Sequence, residues 1–331
     1  MTKKILILIP KNIKKGQPSF ERIHAYIEFY TSHNIEVIQW SLPNTFSEKI
    51  KLIILIYKHQ IKNIFISMPP FRNWFLFLLF NVHIIIDIRD GWSIAMKTGY
   101  GGTAKKNIIK ASLASYYERL AIKRASLAIT CTGGLQSYLE DLTKKKILLI
   151  TNGYSKHDLE LVNKIYTQGI TKNNALDSIV VCAGQFSEYG QDKVKKILKN
   201  LNRKTKPTLL KLIGSNIGKN KWIQDWIIKN SLNNIKIEFL PRMNRKEMYE
   251  EILLADYGIA VIRDPNYDFG TKVFDYILCR IPILDYFESK NNFVDFFQDQ
   301  LTSSNNKSFN RSFLRNELIE KQKKLLLGVL K

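Results

Sequence analysis

The amino-acid sequence predicts an α/β protein built from two domains with parallel sheets. Its 331 residues suffice for about two domains of roughly 150 residues each. Short, continuous apolar segments alternate with segments whose apolar residues recur at helical spacing, and the alternation restarts after a polar stretch at 161–177. Repeated alternation of this kind is typical of parallel sheets covered by helices on both faces.

The first half of the chain supports this class element by element. The run 4–9 is continuously apolar after Lys4, as expected for a strand that is buried on both faces. Four apolar residues of 20–32 share one face at helical spacing, which predicts a helix. Further strands are expected at 35–40, 63–67, 82–87, 126–131 and 146–151, and further helices at 48–59, 71–80, 104–124 and 134–141.

The second half repeats the pattern and ends in a long helix at 310–330. Its strands are expected at 178–183, 209–213, 235–239, 257–262 and 281–285, and its helices at 192–201, 219–229, 245–254 and 271–279. We therefore predict a first domain at 1–160, a linker at 161–177 and a second domain at 178–331, with the last helix packing back on the first domain. The architecture expected is two Rossmann-like domains facing across a cleft, with ligands at the carboxyl ends of the strands.

Composition and motifs argue against several classes of protein. The three cysteines, Cys131, Cys182 and Cys279, have neither zinc-site nor disulfide spacing, so we expect no metal. Neither G-x-G-x-x-G nor a P-loop motif is present, so we expect no dinucleotide or other cofactor. The longest apolar stretch, 74–86, is shorter than the about 20 residues that cross a bilayer, and we expect a cytoplasmic protein.

The charge is strongly basic. Lys and Arg number 51 against 29 Asp and Glu, a net +22, and residues 1–150 hold 22 of the basic and 9 of the acidic residues. Such an excess favours phosphorylated substrates, anionic lipid or nucleic acid, or it is a composition bias without a partner. Because aromatic and basic residues are not interleaved, nucleic acid is not expected. The first domain could instead lie on an anionic membrane surface, with Trp74, Phe75, Phe77 and Phe80 either entering the interface or packing in the core.

Two glycine-containing loops of the first domain are candidate acceptor-side elements. Gly16 precedes a helix whose first N–H groups could bind an anion, although Ser19 can equally be an ordinary N-cap. Arg22 lies in the first turn, where the helix dipole disfavours a cation, and this indicates contact with a phosphate or sugar. Three glycines in 98–103 indicate a mobile loop, with Tyr100 facing the acceptor, or a merely flexible connection.

The segment DIRDGW at 87–92 follows the fourth predicted strand. Asp87, Arg89 and Asp90 are candidate catalytic residues, because carboxylates beside a guanidinium can take a proton from a hydroxyl and orient it. The indole of Trp92 could stack on a sugar ring on the acceptor side. The alternative is an Asp–Arg ion pair that only closes the loop.

The second domain carries candidates for binding a nucleotide. Gly184 and Gln185 follow its first strand and Gly214 follows its second, where glycine lets a backbone approach a ligand closely. A later segment opens a helix at 270–272 and places a carboxylate one turn further, which could hold a phosphate and then a ribose. An ordinary capped helix with an i,i+3 Lys–Asp pair is the alternative. This segment adds Arg263, Phe269, Gly270, Thr271, Lys272 and Asp275 to the donor-binding candidates.

The segment 270–283, GTKVFDYILCRIPI, resembles the donor-site helix of GT-B glycosyltransferases and is similar to that of the family 4-like bacterial enzymes of surface-polysaccharide assembly. Other pieces follow in the family's order along nearly the whole chain. They are DIRDGW at 87–92, Glu118-Arg119, ASLAIT at 125–130, TNG at 151–153, and the strand ends at 183–184, 213–214 and 239–241.

The resemblance implies a retaining transfer of a sugar from a nucleotide-sugar donor, UDP before GDP or CMP. The ribose would lie on Asp275 and the phosphates on the turn at 269–272. The acceptor would be a lipid-linked or growing surface glycan of a capsule, O-antigen or lipooligosaccharide, entering over the first domain. Positioning and charge stabilisation of the leaving phosphate would supply much of the rate.

Some positions depart from the family pattern. The family's ribose ligand is usually Glu where this chain has Asp275, and its earlier carboxylate is replaced by Tyr267. The diphosphate-binding Arg and Lys are absent, Gln185 standing at the first position, and Lys193 and Arg263 are the candidate replacements. These departures favour a non-catalytic GT-B partner protein as one alternative. A nucleotide-sugar epimerase is the other, although only His24 of the five histidines lies near a candidate site.

Overall fold

The computed structural model describes residues 3–14, 16–68, 75–77, 79, 81–102, 105–170, 177–305 and 308–331, with backbone alone at 100–102. The chain divides into two compact units. Unit 1 spans Met1–Tyr100, Ala104–Asn152 and Leu314–Lys331, and unit 2 spans Gly101–Thr103 and Gly153–Phe313.

Unit 1 contains a six-stranded parallel sheet in the order β2-β1-β3-β4-β5-β6. Its strands are β1 (Lys4–Ile9), β2 (Glu36–Ser41), β3 (Asn63–Met68), β4 (His83–Ile88), β5 (Leu127–Thr130) and β6 (Leu148–Leu149). Its first helices are α1 (Pro18–Ser32), α2 (Phe46–Lys58), α3 (Trp92–Gly102), α4 (Ile108–Arg124) and α5 (Gly133–Thr143). The central strands are apolar on both faces because helices cover both.

Unit 2 contains a four-stranded parallel sheet in the order β10-β7-β8-β9. Its strands are β7 (Ser178–Ala183), β8 (Thr208–Ile213), β9 (Ile235–Leu240) and β10 (Tyr257–Gly258). Its helices are α6 (Lys156–Thr167), α7 (Gln191–Asn202), α8 (Ile217–Asn220), α9 (Trp222–Lys229), α10 (Arg245–Leu254), α11 (Lys272–Leu278) and α12 (Asn292–Phe297).

The C-terminal segment returns to unit 1 as two short helices, α13 (Arg315–Glu320) and α14 (Lys323–Gly328). Ile319 and Leu326 join Ile5, Ile7 and Tyr26 in the core on the α1 face of the unit 1 sheet. The single long helix expected at 310–330 is therefore wrong. The Gln322 N–H donates to the Ile319 carbonyl three residues earlier, which tightens the backbone and separates the two helices.

The first half of the expected linker is helical. α6 begins with a capping box in which Ser155 and Asp158 satisfy each other's backbone N–H groups. Val162 and Ile165 are buried in the core of unit 2. The polar exposed face of α6 hides this short apolar stripe in the sequence. Residues 171–176 of the expected linker lie outside the described residues.

Two further expectations differ from the structure. The segment 98–102 forms the end of α3 and not a loop, although Gly99 within it has φ +71°. The strand expected at 281–285 is reduced to single bridges from Ile283 to Gly258 and Leu301. Of the helix expected at 71–80, only 75–77 and 79 are described, and 75–77 form one 3-10 turn.

Candidate functional site

The carboxyl edge of the unit 2 sheet brings three loops together. β7, β8 and β9 end at paired positions, Ala183 opposite Ile213 and Ile213 opposite Leu240. The Gly184 N–H donates to the Ile213 carbonyl at 2.8 Å, and the Gly214 N–H donates to the Leu240 carbonyl at 3.0 Å. These two hydrogen bonds are the last of each strand pair, so the chain leaves the sheet at both glycines.

Gly184 and Gly214 turn the chain with φ of +98° and +68°, values that side-chain-bearing residues rarely adopt. A Cβ at Gly184 would lie 3.9 Å from Cγ of Lys272, and one at Gly214 would lie 3.6 Å from Cα of Arg242. The predicted candidates Gly184 and Lys272 are therefore neighbours. Arg242 is exposed at the same edge and is a residue that sequence reasoning missed, although a basic residue two positions after a strand end was a usable signal.

α11 carries the i,i+3 Lys–Asp ion pair, which is the alternative that the sequence left open. Lys272 Nζ lies 3.0 Å from Asp275 Oδ2, and the Tyr249 hydroxyl donates to Asp275 Oδ1 at 3.0 Å. The Asp275 side chain is 13% exposed and the Lys272 side chain 38%. In this pair the carboxylate accepts a hydrogen bond from Tyr249, whereas the ammonium group reaches solvent.

Tyr249 is a neutral donor in this arrangement. Burial raises its pKa well above the ordinary value, and the nearby carboxylates of Asp275 and Asp158 raise it further. Arg245 forms an ion pair with Asp158 and lies 3.5 Å from the Tyr249 hydroxyl, so α6 supports α10 behind the pair on α11. Each carboxylate oxygen of Asp275 can still accept a second hydrogen bond, from a ligand hydroxyl for example.

The residues of the turn before α11 differ in how far they are buried and in which of their groups are already hydrogen-bonded. Gly270 has φ +66° and its N–H donates to Asp268 Oδ1 at 2.9 Å, so that N–H is already used. Thr271 precedes the helix and is half-buried. The Phe269 ring is buried against Phe296, with ring centroids 4.9 Å apart. The Phe269 ring therefore belongs to the core, so Phe269 could meet a phosphate only through its backbone.

Lys193 and Arg263, the candidate replacements for the missing diphosphate ligands, are both half-buried. Lys193 Nζ donates to the Ile262 carbonyl at 2.9 Å and also to the Arg263 carbonyl, and burial lowers its pKa. Lys193 thus holds the chain after β10, and the structure does not support it as a phosphate ligand. The Arg263 guanidinium lies 5.0 Å from the Tyr189 ring centroid.

Glu188 connects the two glycine turns of unit 2. Its carboxylate accepts from the Phe186 N–H at 2.8 Å and from the Asn216 N–H at 3.3 Å. Gln185, which lies between Gly184 and Phe186, is exposed. The Glu188 carboxylate therefore stabilises both turns, and the Gln185 side chain is exposed to solvent.

In unit 1, Asp87 and Arg22 form a buried pair. Arg22 Nε donates to Asp87 Oδ2 at 2.9 Å and Nη2 to Oδ1 at 2.8 Å, and both side chains are essentially inaccessible. Arg22 also donates to the carbonyls of Ile150 at 2.9 Å and Thr151 at 3.2 Å. Asp87 as a catalytic base and Arg22 as an acceptor contact are therefore corrected, because the pair joins α1, β4 and the chain after β6 inside the core.

The electrostatics of Arg22 agree with this role. Burial alone would lower its pKa, but the charge of Asp87 and the hydrogen bonds with it raise the pKa above the ordinary value. An Arg in the first turn of α1 is unfavourable beside the helix dipole. The Asp87 carboxylate supplies the compensating charge, 65 residues further along the chain.

The end of the 87–92 segment is fixed by hydrogen bonds to Glu118 and by close packing around Gly91. Glu118, fully buried, accepts from the Trp92 N–H at 2.6 Å and the Ser93 N–H at 3.2 Å, and burial raises its pKa. A Cβ at Gly91 would clash with Ile94 and lie 2.7 Å from Leu135 Cδ1. In the sequence, Glu118 stands out only within the pieces that resemble GT-B glycosyltransferases. Its function in the fold is to cap α3.

Arg89, Asp90 and Trp92 remain half-buried at this edge of unit 1, so Asp90 is the carboxylate of the segment that can reach a ligand. Gly16 is exposed with φ +87°, and its N–H donates to Glu21 Oε1 at 2.9 Å, so it is not a free anion donor. α1 begins at Pro18 after the N-cap Gln17, and not after Ser19. The Tyr100 side chain lies outside the described residues.

The described part of the chain lacks two features. No group of three or more His, Cys, Asp or Glu side chains there could hold a metal ion. In the same residues, no helix is both long enough and apolar enough to cross a membrane.

No protein-family model and no curated protein matches the chain, but solved structures do. Sucrose-phosphate synthase from Thermosynechococcus elongatus is 11% identical with a TM-score of 0.66, covering 97% of this chain and 90% of its own. Anabaena HepE in complex with UDP-glucose is 13% identical with a TM-score of 0.63, covering 98% and 100%. A glycosyltransferase from Rickettsia africae is 12% identical with a TM-score of 0.60, covering 99% and 98%.

These similarities extend over nearly the full length of each chain, and the two parallel sheets described above agree with them. At such low identity they establish the fold and not the chemistry. The protein therefore has the GT-B fold, with the two Rossmann-like α/β units of that class.

Proposed function

We propose that the protein is a glycosyltransferase that moves a sugar from a nucleotide-sugar donor to a lipid-linked or growing surface glycan. The observation that carries the proposal is the arrangement at the carboxyl edge of unit 2, where the Lys272–Asp275 pair lies beside the Gly184 turn. The fold supports it, because a structure of similar fold holds UDP-glucose.

The donor's ribose would bind the Asp275 carboxylate. Tyr249 and Lys272 each use one lone pair of its two oxygens, which leaves further acceptor positions for two hydroxyls. The phosphates would lie beside the Gly184 turn, where the absence of a Cβ lets the backbone approach and the ammonium group of Lys272 reaches solvent.

UDP is the nucleotide we propose, with GDP and CMP as the alternatives. The choice of UDP rests on the similar structures that hold UDP or UDP-glucose. The exposed Arg242 beside Gly214 offers a second cation at the same sheet edge, in place of the basic residues expected after β7. A diphosphate carries more charge than a monophosphate and gains more from two cations.

For the chemical step we propose retention of the anomeric configuration. Lys272 would stabilise the charge that develops on the leaving phosphate. On the acceptor side, Asp90 would accept a hydrogen bond from the reacting hydroxyl, with Arg89 and Trp92 orienting the glycan. Asp87 has no part in this step, because its carboxylate is buried against Arg22.

The acceptor class and the location are part of the proposal. A lipid-linked intermediate of a capsule, O-antigen or lipooligosaccharide would be presented at the cytoplasmic face of a membrane. The basic excess of residues 1–150 supports this, since anionic lipids attract such a charge.

Calorimetric titration with UDP, GDP, ADP, TDP and CMP tests the donor site. We expect one nucleotide to bind selectively and its affinity to fall by about tenfold or more in Asp275→Ala, since hydrogen bonds to a charged group contribute about 1.5–3 kcal/mol each. Asp192→Ala is the matched control, because Asp192 forms an exposed i,i+3 pair with Lys195 on α7. Equal affinity of Asp275→Ala and the wild type would contradict the site.

The same preparation separates the alternative functions. A transferase needs both donor and acceptor, whereas an epimerase would isomerise the sugar of the donor without any acceptor. A non-catalytic partner protein would bind none of the nucleotides at millimolar concentration, and that outcome would overturn the enzyme proposal.

A further inference from the structure

Unit 1 exposes large apolar side chains on two of its helices. Of the thirteen large apolar residues that are exposed in the described part of the chain, nine lie on α2 and α4. Eight of these nine recur every three to four residues and form one stripe along the outer side of each helix. The stripe on α2 contains Phe46, Ile50, Ile54 and Tyr57, and the stripe on α4 contains Ile109, Leu113, Tyr116 and Leu120.

Both stripes lie on the same face of the unit 1 sheet. α2 and α4 each connect a strand to a later parallel strand in the same direction across the sheet, and right-handed crossovers then place both helices on one face. α1, α13 and α14 cover the other face. We call the outer surface formed by the two stripes the α2–α4 face.

Contacts with the turn at 75–77 support this placement. Lys49 of α2 lies 5.5 Å from the centroid of the Phe75 ring. Arg124 at the end of α4 donates to the carbonyls of Phe77 and Leu79, both at 3.1 Å. The two helices therefore contact the same short segment from either side.

The charges around the stripes are positive. The acidic residue within α4, Glu118, is fully buried, so the exposed charges of this helix are all basic. On α2, Glu48 forms an ion pair with Lys11. The exposed basic residues on and beside the two helices are Lys51, Lys58, Lys62, Lys105, Lys106, Lys110, Arg119, Lys123 and Arg124.

We propose that the α2–α4 face binds the surface of an anionic lipid bilayer. Apolar stripes flanked by basic side chains are the features with which a helix lies in a membrane interface: the apolar residues enter the acyl boundary and the cations contact lipid phosphates. A second copy of the chain fits less well, because two basic faces would oppose each other. Nine exposed large apolar side chains on two helices of one unit are more than isolated surface residues, and such a cluster marks an interaction site.

This location differs from the one expected from sequence. Among the aromatic residues proposed to enter the interface, Phe77 is 8% exposed and belongs to the core, and Trp74 and Phe80 lie outside the described residues. The proposed surface is instead formed by α2 and α4, for which the sequence predicts helices only.

Vesicle co-sedimentation tests the proposal, with vesicles of phosphatidylcholine alone or mixed with phosphatidylglycerol. The wild type should bind the mixed vesicles, and raised salt should weaken binding because exposed charges are screened. The variant Ile109→Glu/Leu113→Glu should lose about tenfold or more of the vesicle affinity, since each apolar side chain contributes through its buried area. No binding by the wild type, or equal binding by the variant, would overturn the proposal.

A matched control excludes a simple effect of charge. Ile217→Glu/Ile228→Glu makes the same substitutions at exposed positions of unit 2, 51% and 77% exposed, and should bind like the wild type. Size-exclusion chromatography with light scattering tests whether a second copy of the chain binds this face instead. A wild-type dimer that becomes a monomer in the Ile109→Glu/Leu113→Glu variant would overturn the lipid proposal in favour of a dimer interface. The assay contains neither donor nor acceptor, so its failure and that of the proposed transfer reaction are separate outcomes.

Discussion

The carboxyl edges of the two sheets hold similar residues in opposite circumstances. Each has an acid–base pair and a glycine in the loop that follows a strand. In unit 1, Arg22 and Asp87 are inaccessible and Gly91 has no room for a Cβ. In unit 2, Lys272 reaches solvent and the space at Gly184 would hold a Cβ at van der Waals distance. The difference teaches that burial, and not residue type, separates a structural pair from a candidate binding pair.

The largest expected effect comes from breaking the buried pair. Arg22→Met should lower the free energy of unfolding by about 3–5 kcal/mol, because it leaves the Asp87 carboxylate buried without its partner. Urea unfolding followed by circular dichroism measures this. Glu36→Gln, which removes the exposed Lys4–Glu36 pair, is the control and should cost less than about 1 kcal/mol. A similar small loss for Arg22→Met would show that the pair is not structural.

The glycine in the tight edge gives the next effect. Gly91→Ala should lower the free energy of unfolding by about 1–3 kcal/mol, because the new Cβ overlaps with Ile94 and Leu135 in a packed core. Gly328→Ala in α14 meets nothing within 4 Å and should be neutral or slightly stabilising. Thermal unfolding of the two variants measures the contrast, and equal melting temperatures would contradict the assigned packing.

At the open edge, stability and binding should separate. Lys272→Met should change the free energy of unfolding by less than about 1 kcal/mol, since its pair with Asp275 is partly exposed. The same variant should weaken nucleotide binding by about tenfold, because the charge that would face the phosphate is gone. Parallel unfolding and calorimetry measure both. A loss of stability as large as that of Arg22→Met would remove the distinction between the two edges.

The pH dependence of stability gives the smallest effect and has opposite signs in the two units. Burial raises the pKa of Glu118 above 4.5, so its contribution is full below pH 4.5 and is lost as the pH rises through the higher folded value. For Asp158, burial acts to raise the pKa, but Arg245 and Ser155 together lower it below 3.8. Its contribution is full above pH 3.8 and is lost as the pH falls.

Unfolding of Glu118→Gln and Asp158→Asn across pH 3 to 7 measures these two terms. The free energy of unfolding of the wild type minus that of Glu118→Gln should fall as the pH rises. The same difference taken against Asp158→Asn should increase as the pH rises. The same slope for both variants would show that one of the two environments is assigned incorrectly.

Much of the fold is predictable from local pattern, and the exceptions have local reasons. Several strands follow continuous apolar runs such as 5–9, which only a doubly covered sheet can bury. The helix α6 was missed because its apolar stripe is short and its capping box lies in a polar stretch. The helical end of α3 was missed because three glycines within 98–103 are typical of a loop.

The candidate site was predictable in its positions but not in its exposure. The rule that loops at strand ends meet at one edge brought Gly184 and Lys272 into one group before any distance was known. Arg22 and Asp87 satisfied the same rule and are buried, because Arg22 turns into the core to reach the carbonyls after β6. A sequence pattern contains the order of residues along the chain, whereas solvent access depends on every element packed above them.

The sequence by itself determined the α/β alternation, the position of the loops at the strand ends and the i,i+3 spacing of Lys272 and Asp275, because each depends on residues close together in the chain. Only the tertiary structure decided which charges are available. The pairing of Arg22 with Asp87 spans 65 residues, and the two apolar stripes that form the α2–α4 face belong to helices separated by two strands. Burial is a non-local property, so it is settled when the sheets and helices pack together and not before.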